Sequence, residues 1–560
     1  MNRTENLKKL ETTQFDICIM GAGASGAGCA LDAALRGYKV ALIDKNDFAA
    51  ETSSRSTKLI HGGVRYLEQA FKNLDFAQLT QVKHGLEERH TVLRNAPHLA
   101  HPLALITPVF SWIEGLYFTI GLKIYGWFAK NDPLPTSQWL NRKETFDIMP
   151  TLNKRTHSAV MYYDGQLDDA RYCLALAQSA NEAGVVVVNH TEVTGFEKDS
   201  SGKLIGARIR NQKSGIRSQE SEVRNQENDS RPTTHDSLLI KAKIFINCTG
   251  PHADAIRQLA NPTLETIIRP SKGVHLMLPK EVLNSEAAML IPKTPDGRVV
   301  FVIPFEGETM VGTTDTDYDA LTQEPILESN EIDYLLDTLA PYISQRPDRS
   351  QVRAGFGGLR PLIKSGSTKS TKKLVRDHEV EHDEASNLVS LLGGKWTTYR
   401  LMAKDTIDKI GELLDNETKC TTAEYLLWGA AGYDFENWKT IVQQHSLQPE
   451  TAQHLLKKYG NKAELVLELL KENKNWKSKL AESQPYIQAE VIYQVRNEMA
   501  CTLRDVLARR MRLELKDWQT TLDVLPTVAE LMQPELGWDD IQKQLQIESY
   551  NSELHKFMSL

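Results

Sequence analysis

The N-terminal hydrophobic pattern reads as strand, turn, helix, strand. Phe15 to Met20 is a short apolar run followed at once by glycines, which predicts a strand buried on both faces. Gly21 to Gly28 predicts a tight turn, Ala30 to Arg36 a helix of small residues stopped by Gly37, and Tyr38 to Ile43 a second central strand ending on Asp44. Two parallel strands joined by a helix form one right-handed βαβ unit. Further apolar runs predict strands at Val185–Val188, Leu204–Arg210, Leu239–Asn247, Val299–Ile303 and Thr309–Gly312. From Asn211 to Ser237 apolar residues almost vanish; burial there cannot offset ordering entropy, so a mobile hairpin extension is expected. After Arg400 helical periods take over, as in KAELVLELLKEN and AEVIYQVRNEMACTLRDVLARR, which predicts an all-α C-terminal unit. No fixed-period repeat is present.

Composition narrows the class. A chain of 560 residues with 41% hydrophobic and 25% charged residues folds as more than one unit around a large interior. Its net charge of −7 provides no general basic field for nucleic acid, leaving room for a local basic pocket that takes a small anion. Six cysteines carry no CxxC pairing or His-containing metal spacing, so they are expected to be reduced and structural, with no metal site. The polar start MNRTENLKKLETTQ lacks the apolar core of a secretory signal, and cytoplasmic residence is expected. The longest apolar stretch, Leu103 to Phe128, is broken by Pro108, Glu114 and Lys123. It is not expected to span a bilayer. Within it, Phe110 to Phe128 holds three Phe, two Trp and two Tyr with only Glu114 and Lys123 charged, which suits either a core helix over a second domain or a helix at a membrane interface.

The first glycine turn is the clearest chemical signal. Gly21, Gly23 and Gly26 spell GxGxxG: the first permits the turn, the second lets a pyrophosphate approach, and the third lets helix and strand pack closely. Asp44, at the end of the second strand, is placed to accept from a ribose 2′-hydroxyl and to repel a 2′-phosphate. The segment Thr52 to Glu68 concentrates Ser53, Ser54, Arg55, Lys58, His61, Gly62, Gly63 and Arg65 without a sustained period, as a loop beside a ligand would. Its paired glycines let the backbone near a flat ring. A phosphate ester needs cations, for which the Arg fork and the Lys point charge are suited. Arg360 before Pro361, Arg376, and Lys395 between two glycines and a Trp are the candidates.

These motifs resemble the FAD-dependent glycerol-3-phosphate dehydrogenases, flavoproteins similar in fold to the D-amino-acid oxidase group. The resemblance runs from FDICIMGAGASGAG through SSRSTKLIHGGVRYLE, INCTGPHAD, RPSKGVHLMLP, VVFVIPFEGETMVGTTDTDY, GLRPL, VRDHEV and LLGGKWTTYR. It implies an α/β FAD-binding Rossmann-like domain, an α+β substrate domain and a C-terminal all-α cap domain. The FAD unit would comprise 1–100 with parts of 150–260 and 350–412, the substrate unit 101–149 and 260–350, and the cap 413–560. By the same resemblance, Thr249 and Gly250 make a second FAD contact, and Gly393, Gly394 and Thr397 line the flavin with Ser53, Ser54, His61, Gly62 and Gly63. Arg55, Arg360, Arg376 and Lys395 bind substrate. The implied reaction converts sn-glycerol 3-phosphate to dihydroxyacetone phosphate, with His61 favoured as base beside Lys272 and His275. Electrons would pass to quinone, with the enzyme on the inner face of the cell membrane. The alternative is a related flavin oxidase of amines or amino acids that uses oxygen.

Overall fold

A computed structural model describes residues 1–63, 76–128, 134–212, 237–292, 294, 297–364 and 378–559. The βαβ unit forms, with strands Gln14–Met20 and Val40–Ile43 parallel and joined by the helix Ala24–Leu35. That helix starts six residues before the expected Ala30, and the turn shrinks to Gly21–Gly23. Glycine's poor helix propensity is overridden by packing: Gly26 lies so close to Gly21 that a Cβ would collide with its carbonyl, and Gly28 rests on the Tyr399 ring.

The later predicted strands all appear, as Val186–Val188, Leu204–Asn211, Ser237–Asn247, Val300–Phe305 and Glu308–Gly312. They divide between an eight-stranded and a ten-stranded sheet. In the first sheet, five strands run parallel in the order Leu388–Gly393, Ser237–Asn247, Gln14–Met20, Val40–Ile43, Val186–Val188. One face is covered by Ala24–Leu35, Asp169–Glu182 and Tyr399–Leu414, whose small and apolar residues share one core with Ile17, Ile19 and Val187. Leu204–Asn211 and Ser237–Asn247 pair antiparallel, Arg210 opposite Ser237; the expected hairpin extension between them lies, over 213–236, outside the described residues.

The second sheet is built around the antiparallel pair Ile268–Pro279 and Ala354–Ile363, with Ala100–Val109 and Ser158–Leu167 farther along. None of these four strands is separated in the sequence reading. Two of them, Ser158–Leu167 and Ala354–Ile363, fall in ranges read as partly nucleotide-binding, and both join the second sheet. Tyr399–Leu414 packs on Ala24–Leu35 and belongs to the nucleotide unit, within the 350–412 range expected to join it. The C-terminal helices form the expected all-α unit, and it is docked on the second sheet. Val491, Leu507, Val528 and Trp538 share a core with Tyr162, Met277 and Phe356 of the second sheet.

Charge as well as oil holds this junction. The segment Asp505–Arg510 forms a π-helical turn that points Arg509 and Arg510 at the buried Asp47 of the nucleotide unit. Arg512 donates to Asp169, and Lys458 bridges Asp168 and Glu306 at 2.6 Å each. His190, Cys501 and Asp505 also converge, a meeting invisible in sequence at that separation. Asp505 there already faces His190 and Arg509 and accepts the Cys501 and Thr502 N–H groups, so its charge is met by the Arg509 guanidinium and those donors of the chain itself. All six cysteines are free thiols.

Burial would raise the Asp168 carboxyl, but Lys458 and Arg512 outweigh it and bring it down to about 2. A depressed carboxylate stabilises the folded state above its unfolded value of about 3.9. That stability is lost as pH falls toward 2, because the unfolded chain takes the proton first. Tryptophan emission followed from pH 5 downward should therefore report loosening of the helical unit between about pH 4 and 2, and Asp168→Asn should flatten the dependence. An unchanged acid profile in the variant would remove Asp168 from the clamp.

Candidate active site

Three turns meet at the carboxyl ends of three adjacent parallel strands. Gly21 follows Met20 with φ +98°, Thr249 and Gly250 follow Asn247, and Gly393 and Gly394 end Leu388–Gly393 with φ +68° and +84°. They touch: a Cβ on Gly21 would lie 2.6 Å from the Cys248 carbonyl oxygen. Thr249 is held by its N–H and hydroxyl, both donated to Asn247 Oδ1. Crevices outside the carboxyl ends of parallel strands are where α/β sheets bind dinucleotides. Asp44 stands beside this turn, accepting the Ala22 N–H at 2.6 Å and the Asn46 N–H at 2.8 Å. Burial raises its carboxyl to about 6 against those two donors.

The 52–58 loop closes over the turn. Ala24 N–H donates to Ser53 Oγ at 3.0 Å, and Trp396 Nε1 donates to the Ser53 carbonyl at 3.0 Å. The buried Ser54 gives its carbonyl to Lys58 Nζ and to Arg512. Thr397 is buried in the turn that opens Tyr399–Leu414, and Lys395 caps that turn. Gly62 N–H donates to the Tyr125 hydroxyl at 2.7 Å, and Gly63 has φ +85°. Glycine turns at three strand ends, each too tight for a Cβ or in a left-handed backbone, with one helix N-terminus among them, fit an adenine dinucleotide.

Opposite this crevice, one face of the second sheet carries the polar groups. His275 lies opposite Phe356, and Ser271 opposite Arg360, on the pair Ile268–Pro279 and Ala354–Ile363. Strand alternation therefore puts His275, Phe356 and Arg360 on one face. The neighbours there are glycines: Gly273 lies opposite Gly358, and Gly312 lies between His275 and Phe301. A Cβ at Gly273 would meet the Arg360 guanidinium, one at Gly312 would strike the His275 ring, and one at Gly358 would lie 2.8 Å from the Arg55 carbonyl oxygen. The Arg360 guanidinium and the His275 ring thus lie directly over glycines, and beyond Gly312 the Phe301 ring packs against His61 with ring centroids 6.2 Å apart.

Arg360 donates to Thr313 Oγ1 at 3.2 Å and to the Thr314 carbonyl at 3.1 Å. The His275 ring stacks on Phe356 at 4.8 Å, its Nε2 is 3.0 Å from Thr57 Oγ1, and its buried Nδ1 has no hydrogen-bond partner among the described residues. Burial, then the charges of Lys58 and Arg360, hold this imidazole well below its usual pKa and so neutral. Lys58 Nζ sits over the same Phe356 ring, 4.7 Å from its centroid, and donates to Asp169 at 2.7 Å. Burial brings its ammonium down to about 7 despite Asp169.

Two sequence expectations are corrected. Lys272 does not join His275: three residues away on one strand it points to the opposite face, where its ammonium pairs with Glu328 at 2.7 Å and Glu331 at 2.9 Å. Arg55 is committed elsewhere, donating to Glu324, which also binds Arg504, and to the Gly357 carbonyl. Arg376 lies outside the described residues. The sequence reading assigned no role to Thr57, Lys58, Asp169, Phe356 or Arg512. The available signals were the lysine inside the polar loop and the acid pair of LDDAR at a helix start.

A parallel nucleotide sheet with glycine turns at its crevice, facing a second sheet that offers a neutral imidazole and a guanidinium, defines a flavin-type oxidoreductase. The profile of the family described as FAD dependent oxidoreductase matches residues 16–406, and that of the C-terminal domain of alpha-glycerophosphate oxidase matches 420–543. A probable mitochondrial glycerol-3-phosphate dehydrogenase of Caenorhabditis elegans is 40% identical over 553 residues, 97% of this chain and 73% of that protein. The mitochondrial glycerol-3-phosphate dehydrogenase of Homo sapiens is 38% identical over 96% of this chain and 73% of its own length. The glycerol-3-phosphate dehydrogenase of Bacillus halodurans, solved with FAD, superposes with a TM-score of 0.77 at 27% identity, covering 98% of this chain and 96% of that one. The chain belongs to the family of FAD-dependent glycerol-3-phosphate dehydrogenases.

Gly21→Ala tests the crevice directly. A methyl group 2.6 Å from a carbonyl oxygen, at φ +98°, is strained in both conformation and space. The purified variant should carry little FAD, measured as flavin absorbance released by acid, whereas Gly37→Ala, with nothing within 4 Å of its Cβ, should keep it.

Proposed function

We propose that the chain oxidises sn-glycerol 3-phosphate to dihydroxyacetone phosphate and delivers the electrons to a quinone at the inner face of the cell membrane. The observation that carries this reading is the placement of the Arg360 guanidinium and the neutral His275 ring on one face of the second sheet, over Gly273 and Gly312, with His275 meeting the crevice loop at Thr57. Bound FAD supplies the hydride acceptor. Gly21, Gly23, Gly26, Asp44, Ser53, Ser54, Thr249, Gly250, Gly393, Gly394 and Thr397 are the residues that would hold it. Arg360, with Lys395 and Arg376 of the matching motifs, binds the phosphate, the Arg fork meeting two oxygens at once. This orients the C2 carbon. His275 takes the C2 hydroxyl proton on an imidazole kept neutral by its surroundings, and His61 packs against Phe301 of the same sheet. This reverses the order of the two histidines expected from sequence.

The acceptor reading rests on the helix Trp112–Phe128. Trp112, Ile113, Leu116, Tyr117 and Ile120 are each about half exposed or more and form one stripe, whereas Leu122 and Tyr125 are buried. No helix among the described residues is long and apolar enough to cross a membrane. An apolar stripe of this kind suits a helix lying in the interface, where a lipid-soluble quinone is within reach.

Arg360→Ala should lower kcat/KM for glycerol 3-phosphate by about 2–5 kcal/mol in a dye-reduction assay, with flavin content unchanged. His275→Asn should lower kcat by about 10²–10⁴ with little change in KM. Normal kinetics in both variants would overturn the site. In flotation assays, wild type should rise with lipid vesicles, and Trp112→Ser combined with Leu116→Ser should not. Phe118 packs inward against the core and is the wrong position for that test.

A further inference from the structure

Beside the aromatic helix lies a second feature that neither the flavin chemistry nor the apolar stripe uses. A surface depression of about 730 Å³ is lined by Arg142, Lys143 and Lys154, with Phe146 and Leu152 as apolar lining and Ser344 at its edge. Among the described residues no acidic side chain lines it. Two acids of the adjoining helices are turned onto backbone, Glu144 accepting the Asn141 N–H and Glu114 the Phe110 N–H, and Asp147 is exposed on the helix that carries Lys143 without lining the depression.

The depression is fixed to the aromatic helix through two contacts. Trp139, two residues before Asn141, covers Gly115 of the helix so closely that a Cβ there would collide with the indole. Phe110, at the helix entry, packs on Tyr342 with ring centroids 5.6 Å apart, and Tyr342 leads directly to Ile343 and Ser344. Leu152 bridges to Ile343, and Asn153 N–H donates to the Tyr342 carbonyl. Arg142 is held in place, its guanidinium over the Phe146 ring at 5.0 Å and donating to the Thr156 and Lys154 carbonyls. Lys143 and Lys154 are exposed on either side of it.

We infer that this depression is a seat for the headgroup of an anionic phospholipid, a reading that rests on the membrane contact proposed above. Three cations with no carboxylate among the described lining residues call for an anion. The apolar lining and the neighbouring aromatic stripe call for a ligand whose charge is joined to a hydrocarbon tail, which a free phosphate is not. Seated there, the headgroup neutralises Lys143 and Lys154 while its acyl chains lie along Trp112, Leu116 and Ile120. The protein is thereby oriented on the bilayer with one defined edge down.

The test uses the flavin-loaded full chain, with vesicles of phosphatidylcholine alone or mixed with phosphatidylglycerol, and the double variant Lys143→Gln, Lys154→Gln. Wild type should bind the anionic vesicles more tightly than the neutral ones. The variant should lose roughly thirtyfold of affinity for the anionic vesicles, about fivefold for each lysine, and bind neutral vesicles as wild type does. Raised salt should erase the difference between the two lipids. Equal wild-type affinity for the two vesicles, or a variant unchanged on both, overturns the headgroup seat while leaving the membrane reading standing. Failure of wild type to bind any vesicle overturns both. Calorimetric titration with inorganic phosphate, without vesicles, separates the remaining source: binding that the variant loses would make the depression a soluble-anion site and would contradict the inference.

Discussion

Two adjacent carboxylates at the start of one buried helix hold the three parts of this protein in register. Asp168 caps the helix Asp169–Glu182 by accepting the Arg171 N–H, and its other oxygen faces Lys458 of the helical unit. Asp169 binds Lys58 and Ser56 of the loop over the crevice and Arg512 of the helical unit. Buried ions of this kind contribute little net stability, but removing one partner strands the other at several kcal/mol. The arrangement therefore acts as a specification: the loop has one low-energy position, and the C-terminal helices must be docked for that position to exist. Thr57 and Ser53, which meet His275 and the start of Ala24–Leu35, inherit their placement from it.

The same loop shows how electrostatics and packing divide the site. Lys58 adopts φ +61° and lies over Phe356, whose ring also carries His275. A buried ammonium there favours a neutral imidazole, and a neutral imidazole can accept a proton that a charged one cannot. Packing does the spatial part. The glycines of this face let large groups lie directly on the sheet: the Arg360 guanidinium covers Gly273, the His275 ring covers Gly312 and the Arg55 backbone covers Gly358, so a side chain at any of the three would displace one of them.

Much of the nucleotide unit was legible in sequence because its signals are local. A strand, a glycine turn, small helical residues and a terminal acid follow one another within 44 residues. The start of the helix was misplaced because glycine's intrinsic preference was weighed without the close contact to Cys248 and Tyr399 that requires it. The second sheet was only partly legible. Ile268–Pro279 is almost wholly buried and lacks a clean polar alternation, so no strand was assigned there. Had one been, the odd spacing of Lys272 and His275 would have placed them on opposite faces. Asp47, Asp168, Asp169 and Arg512 are distant in sequence, and their pairing is set by how the helical unit docks, which no local pattern encodes. The exposure of the aromatic helix was left open by its composition and was decided by which side of it Leu122 and Tyr125 occupy.

The central claim is that this crevice and the facing second sheet together take glycerol 3-phosphate to a bound flavin. The most direct measurement is anaerobic mixing of the flavin-loaded protein with substrate in a stopped-flow spectrophotometer, following loss of the oxidised flavin's visible absorbance. The account predicts full bleaching by sn-glycerol 3-phosphate at a rate that saturates with concentration, and none by glycerol or by amino acids. Bleaching by an amino acid or amine, with glycerol 3-phosphate inert, would contradict it.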